Sequence, residues 1–282
     1  MRPWKAELAI LSAVLIGAIT YPVVQWTLQH MDLLLFHIMR FPLLALLFFP
    51  LVLRAKPRWQ GLWKAALPGV FLWLGIMTWS YGVMITDQLG SSAFITSLQS
   101  ILAPFVARMV FGTRIMPNTL WGLGVAAIGL ALLTLENGLQ ITPASRWMLL
   151  SAVLFSMYLV TNSQFSREFD SGAMSWAQFL ACAILSLCVA PFLSDWHIEP
   201  SWWLAAALFF MVVISTGLRF FLMVAGQKEV PADRASILVM MEPVLVAVMA
   251  WSLLEERMNP MQLTGSGLIL LAIFLARPKA PA

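Results

Sequence analysis

Three charged side chains stand where a charge is costly. Arg40, Arg219 and Glu242 each lie inside a long apolar run rather than at its end. In lipid such groups face a protein interior or a polar path, so each is a candidate for function. A guanidinium there can hold a carboxylate through charge-assisted hydrogen bonds, and a carboxylate can hold an amine or carry a proton. Along a helix, Arg40 lies about 10 Å into its run from one face. Arg219 and Glu242 lie about 9 Å and about 10 Å from the other. The last two share a depth on consecutive runs, so a direct ion pair between them is expected. Arg40 reads first as a structural cation whose head snorkels to the headgroups. For Arg219 and Glu242, a cavity-facing role and a local structural role stand level.

Uncharged polar groups collect on particular runs: Thr78, Trp79, Ser80 and Tyr81; Thr96, Ser97, Gln99 and Ser100; Ser156, Tyr158 and Asn162; Ser215 and Thr216. A lone Ser or Thr reads as a hydrogen bond between helices, on the order of 1 kcal/mol. Trp79, Tyr81, Gln99, Tyr158 and Asn162 are the better candidates for lining a binding pocket, because large amphipathic side chains can do so. Pro22, Pro104 and Pro243 each remove a backbone donor in mid-run and are candidate hinges. His37 shares a helical face with Arg40 and reads as a packed histidine. The two cysteines, Cys182 and Cys188, are too poorly aligned for a mutual disulfide and read as buried thiols. The three histidines are scattered, and no phosphate-binding loop of the Gly-x-x-x-x-Gly-Lys-Ser/Thr type occurs. No catalytic residue, metal site or cofactor is expected, and ATP is excluded as a direct energy source.

The elements that hold these residues follow from composition. Sixty-one per cent of the 282 residues are apolar, 11% are charged and the mean hydropathy is +0.85. Runs of roughly 20 apolar residues recur along the whole chain, each long enough to cross a bilayer as a helix. They lack the alternation of barrel strands. The spacing predicts an all-α membrane protein with ten transmembrane helices, over 8–28, 33–53, 67–85, 89–111, 119–136, 147–165, 174–193, 202–225, 235–254 and 260–276. The apolar N-terminal run continues without an obvious cleavage site and reads as a retained span.

Lys and Arg set the orientation. With the N-terminus cytoplasmic, thirteen flanking basic residues fall inside, among them Lys5, Arg54, Lys64 and Arg108. Arg146 and Arg257 fall outside. The positive-inside rule therefore puts both termini in the cytoplasm. The net charge of +4 sits at span ends and makes no nucleic-acid surface.

The pentapeptide Leu-Ser-Ala-Val-Leu occurs at 11–15 and again at 150–154, a shift of 139 residues. The same shift carries Ala93 to Ala232, Ser97 to Ser236 and Pro104 to Pro243. A shift of 143 carries Pro117 to Pro260, Leu120 to Leu263, Gly122 to Gly265 and Gly124 to Gly267. The difference is about one helical turn. Five spans per half is an odd number, so a duplicated half enters the membrane from the opposite side. The expected domains are two inverted five-helix repeats, 1–140 and 141–282, an arrangement typical of transporters with a site near the midplane.

Met39–Leu53 and Ala235–Ile273 carry a resemblance to a known family. The second stretch holds Glu242-Pro243, a span-end Glu256, and Gly265 and Gly267 opening the last span. In these features the chain resembles the EamA-type branch of the drug/metabolite transporter superfamily over essentially its whole length. It departs in having Glu255 where a Gly is usual, and Phe111-Gly112-Thr113-Arg114 where the first half would carry Gly-Glu. The resemblance implies a ten-helix bundle whose spans 1, 3, 4, 6, 8 and 9 line a central cavity. It also implies outward movement of small metabolites, often amino acids, across a bacterial inner membrane. The expected function is secondary transport by alternating access, with export ahead of uptake and an integral-membrane lipid-modifying enzyme behind both. The expected partners are a small-molecule substrate, membrane lipid and, for a gradient-driven cycle, protons. Monomer and homodimer stand open.

Overall fold

The computed structural model describes residues 3–55, 61–112, 114–115, 117–134, 142–165, 169, 171–219, 222–223, 238–239 and 241–275. Described residues form α1 (Pro3–His30), α2 (Leu33–Ala55), α3 (Leu62–Ile85), α4 (Leu89–Ser97), α5 (Gln99–Phe111) and α6 (Pro117–Thr134). After them come α7 (Pro143–Phe165), α8 (Ser171–Leu193), α9 (Trp202–Phe209), a π-helical segment (Phe210–Leu218), α10 (Met241–Leu253) and α11 (Pro260–Leu275). Six stretches are helical, long and apolar enough to cross a membrane, and four shorter apolar helices accompany them. The chain is a multi-pass helical membrane protein. Leu46, Met109 and Trp121 are exposed on its outside, where only lipid would cover them. Trp4, Trp63, Trp196, Trp202 and Trp203 are exposed near helix ends, as interfacial tryptophans are.

The basic residues Arg2, Lys56, Arg58, Arg167, Lys228, Arg234, Arg277 and Lys279, the repeat landmarks Ala232 and Ser236, and the start of the ninth span lie outside the described residues. Two spans read as single helices are divided. The fourth breaks at Leu98, whose N–H turns back to the Ile95 carbonyl at 3.1 Å. The cause is local. The Ser97 hydroxyl donates to the Phe94 carbonyl at 2.6 Å, competing with the helix for that acceptor. The eighth span passes from α9 into the π-helical segment, where the Thr216 hydroxyl donates to the Met211 carbonyl five residues back at 3.0 Å. Cys182 is buried against the Gly69 carbonyl, whereas Cys188 is exposed on the bundle's outside, because the two point to different sides of α8.

Packing joins distant parts of the chain. α2 packs on α8, α3 on α7 and α8, α4 on α10, α6 on α11, and α1 on α10 and the π segment. Close approach is bought by small residues in one place above all: a Cβ at Gly129 of α6 would lie 2.7 Å from the Gly265 carbonyl of α11. The connection after α1 pairs with the one after α8, through Asp32 N–H to the His197 carbonyl and Glu199 N–H to the His30 carbonyl, both 2.8 Å. Asp32 also caps α2, accepting from Leu34 and Leu35, and takes the Ser194 hydroxyl at 2.6 Å. These ties hold α1, α2, α8 and α9 in register at one end of the bundle.

Candidate functional site

Gly17 stands at the middle of the 28-residue α1, about 20 Å from either end. The absent side chain leaves room for an ion pair. Arg219, just past the π segment, donates through Nη2 to Glu242 Oε1 at 2.8 Å and Oε2 at 2.6 Å. The pair expected from matching depth is therefore made, at mid-depth of the bundle. It is not sealed: the Arg219 and Glu242 side chains keep 30% and 18% of their exposure. A partly accessible pair can open to a ligand, because an incoming carboxylate competes for Arg219 and an incoming amine for Glu242.

One turn further along α1, Tyr21 meets Trp79 of α3 edge-on, with ring centres 5.0 Å apart. Tyr21 also lies near Thr96, Glu242 and Arg219. Thr96 belongs to α4 and donates to the Met148 sulfur of α7 at 3.3 Å. Four helices and the ion pair thus converge on one amphipathic wall. Beside it the Thr20 and Ser215 hydroxyls share a hydrogen bond of 2.8 Å, fixing the π segment to α1. Such wide turns concentrate at functional places because their spacing re-aims side chains.

The remaining sequence candidates fall elsewhere. Tyr81 is 38% exposed and stacks edge-on against Trp147 at 5.0 Å, away from Trp79, since residues two apart on a helix face opposite ways. Gln99 opens α5 and is half-buried. Asn162 accepts from Gln178 Nε2 at 2.8 Å, and Tyr158 donates to Gln178 Oε1 at 3.4 Å, so both engage α8. Pro22 lies within an unbroken α1, Pro104 within α5 beyond the Leu98 break, and Pro243 is buried within α10. Arg40 does not snorkel. It is 6% exposed, and its Nη2 donates to Thr216 Oγ1 at 2.6 Å. Its guanidinium lies 5.6 Å and 5.7 Å from the ring centres of Phe36 and Phe41.

With this geometry in place, comparison with known proteins decides the family. The profile of the EamA-like transporter family matches residues 4–135 and again 143–277. The chain belongs to the EamA-like transporter family. It is similar to an uncharacterized transporter of Archaeoglobus fulgidus, 26% identical over 271 residues covering 96% of this chain and 85% of the relative. It is also similar to an S-adenosylmethionine uptake transporter of Rickettsia felis, 25% identical over 208 residues, covering 72% of this chain and 68% of that one. A crystal structure that is 16% identical superposes with a TM-score of 0.65 over 96% of both chains, a likeness of fold.

In this EamA-like transporter the span-end acid has a definite place. Glu256, beyond α10, accepts the backbone N–H groups of Leu89 at 2.8 Å and Gly90 at 3.2 Å, where α4 begins. It satisfies donors that a helix start leaves open. Burial pushes its carboxyl above the ordinary range, and the two N–H bonds pull the other way. Gln88 and Gln262 hydrogen-bond beside it, and Gln262 also exchanges bonds with Asn259. Sequence reasoning singled out Glu256 but missed Gln88, Gln178, Tyr21 and Gly17. Tyr21 sits between Thr20 and Pro22 in the middle of an apolar run, and that was a usable signal; nothing local marked Gly17.

Proposed function

We propose that this chain is a secondary transporter that carries a small metabolite, such as an amino acid, outward across a bacterial inner membrane. Two inverted five-helix halves, 1–140 and 141–282, alternate access to a site at mid-depth, with both termini in the cytoplasm. Supporting the halves, the family profile matches twice, and α2 pairs with α8, α4 with α10 and α6 with α11, each five spans apart. Supporting the orientation is the bias of basic residues.

The observation that carries the reading is the partly accessible Arg219–Glu242 pair beside Gly17, Tyr21 and Trp79. Substrate exchanges places with one arm of that pair. Trp79 and Tyr21 supply the apolar wall, with Thr96 as a hydroxyl partner. Tyr81 and Gln99, and Tyr158 and Asn162 with Gln178 of α8, stand outside this wall. The Leu98 break before Pro104 and Pro243 within α10 are the hinges, with Pro22 bending α1. A proton bound by Glu242, or the substrate gradient itself, drives the cycle. Uptake is the second reading, favoured by the activity named for the Rickettsia relative.

The test is counterflow in proteoliposomes with a metabolite panel, with and without a pH gradient. Exchange of a solute that fails in Glu242→Gln of normal fold supports the reading. No exchange of any solute overturns it, and the orientation that accepts substrate fixes the direction.

A further inference from the structure

Among the described residues, four buried side-chain polar atoms lack a hydrogen-bond partner, and three cluster on one face of α2: His37 Nδ1, Arg40 Nε and Arg40 Nη1. The remaining atom of that set, Ser266 Oγ, lies on α11. Arg40 spends one nitrogen on Thr216 and leaves two without acceptors, although its guanidinium stays charged in proteins. His37 is fully buried, turned to Ser80 through Nε2 at 3.2 Å and stacked on Phe41 at 5.3 Å. Buried charges are ordinarily paired, and buried donors ordinarily bonded.

Among the described residues no carboxylate reaches Arg40. Glu242 is the one acidic residue in the middle of an apolar run, and both of its oxygens are taken by Arg219. Arg219 itself lies close enough to Arg40 to repel it. Two guanidinium groups and one carboxylate leave a positive charge at depth, next to the π segment that carries Thr216 and leads into Arg219.

We propose that Arg40, with Thr216 and His37, binds the anionic group of the transported molecule, so that the substrate is a small carboxylate or a zwitterion with a carboxylate. This rests on the transport reading and names its substrate class. The site is closed in the present conformation. Movement of the π segment relative to α2 opens it, because Thr216 of that segment is the hydrogen-bond partner that Arg40 now holds.

The test uses purified full-length protein in nanodiscs of neutral lipid. Thermal unfolding is followed with pyruvate, malate, glutamate and phenylalanine as carboxylates, and with phenylalaninamide, putrescine and glucose as controls. At about tenfold over Kd a carboxylate raises the wild-type midpoint by about 3 °C or more, and the controls do not. In Arg40→Met that stabilisation disappears, while the ligand-free variant melts no lower than wild type, since an uncompensated charge has been removed. Arg40→Lys keeps the charge and retains part of the response.

Carboxylate stabilisation that persists in Arg40→Met overturns the proposal, as does an absence of stabilisation by every carboxylate. So does an Arg40 requirement seen only with anionic lipid, which would make the ligand a headgroup. Counterflow separates the two readings: exchange of amine or sugar, unchanged in Arg40→Met, leaves transport standing and the anion site fallen. No exchange of any solute removes the transport reading itself.

Discussion

A Cβ placed on Gly17 would lie 2.6 Å from the Arg219 guanidinium carbon and 2.7 Å from Glu242 Oε1. The missing side chain is therefore part of the ion-pair site. The obstructing atoms are the ends of flexible side chains, so they can yield, and Ala in a helix interior gains about 0.5–1 kcal/mol over Gly. Gly17→Ala is expected to melt within about 1 kcal/mol of wild type while transport drops tenfold or more. Counterflow beside thermal unfolding checks this, and normal transport would show that the pair's position does not matter.

Glu242→Gln leaves Arg219 without its charge partner. Breaking a fully buried pair costs about 3–5 kcal/mol. Arg219 keeps 30% exposure, so about 2 kcal/mol is expected here. The double replacement Arg219→Met with Glu242→Met is expected to regain most of that stability, because neither charge is then left alone in a low-dielectric place. Both variants are expected to be inactive. A double variant that stays as unstable as the single one would argue that the pair organises the fold.

Glu256 gives a pH dependence. Its carboxyl is raised by burial, so the folded protein holds the proton more tightly than the unfolded chain does. The associated stability is fully present below the unfolded carboxyl range and is lost as pH rises through the folded value. Melting midpoints are expected to fall over that window in wild type and to stay level in Glu256→Gln. Glu256→Ala leaves the Leu89 and Gly90 N–H groups open and costs about 1 kcal/mol.

Two glycines, one on each of the packed helices α6 and α11, are expected to behave differently. Gly267 faces open space, so Gly267→Ala is neutral or stabilising by about 0.5 kcal/mol. Across from Gly265, Gly129→Ala meets backbone at 2.7 Å and must push α6 from α11, costing about 1–3 kcal/mol. Equal melting of the two variants would refute the helix contact.

By itself the sequence determined the multi-pass helical class and the place of three charges inside apolar runs. Apolar run length is set by bilayer thickness and needs no tertiary partner to be read. Matching depth even predicted the Arg219–Glu242 pair, since two charges left in lipid seek each other. Tertiary structure decided the rest. Arg40 looked like a snorkelling cation because its distance from the span end allowed it; only the packing of Phe36, Phe41 and Thr216 around it closed that route. Trp79 and Tyr81 look alike in sequence, yet helical rotation sends one to Tyr21 and the other to Trp147. Tyr158 and Asn162 lie with Gln178 because α7 and α8 place them there. Gly17, Tyr21 and Glu242 share a site only because α1 packs on α10. Depth along a helix is a one-dimensional quantity that the chain spells out. Which face meets which neighbour depends on helices from distant parts of the chain, and only their packing fixes it.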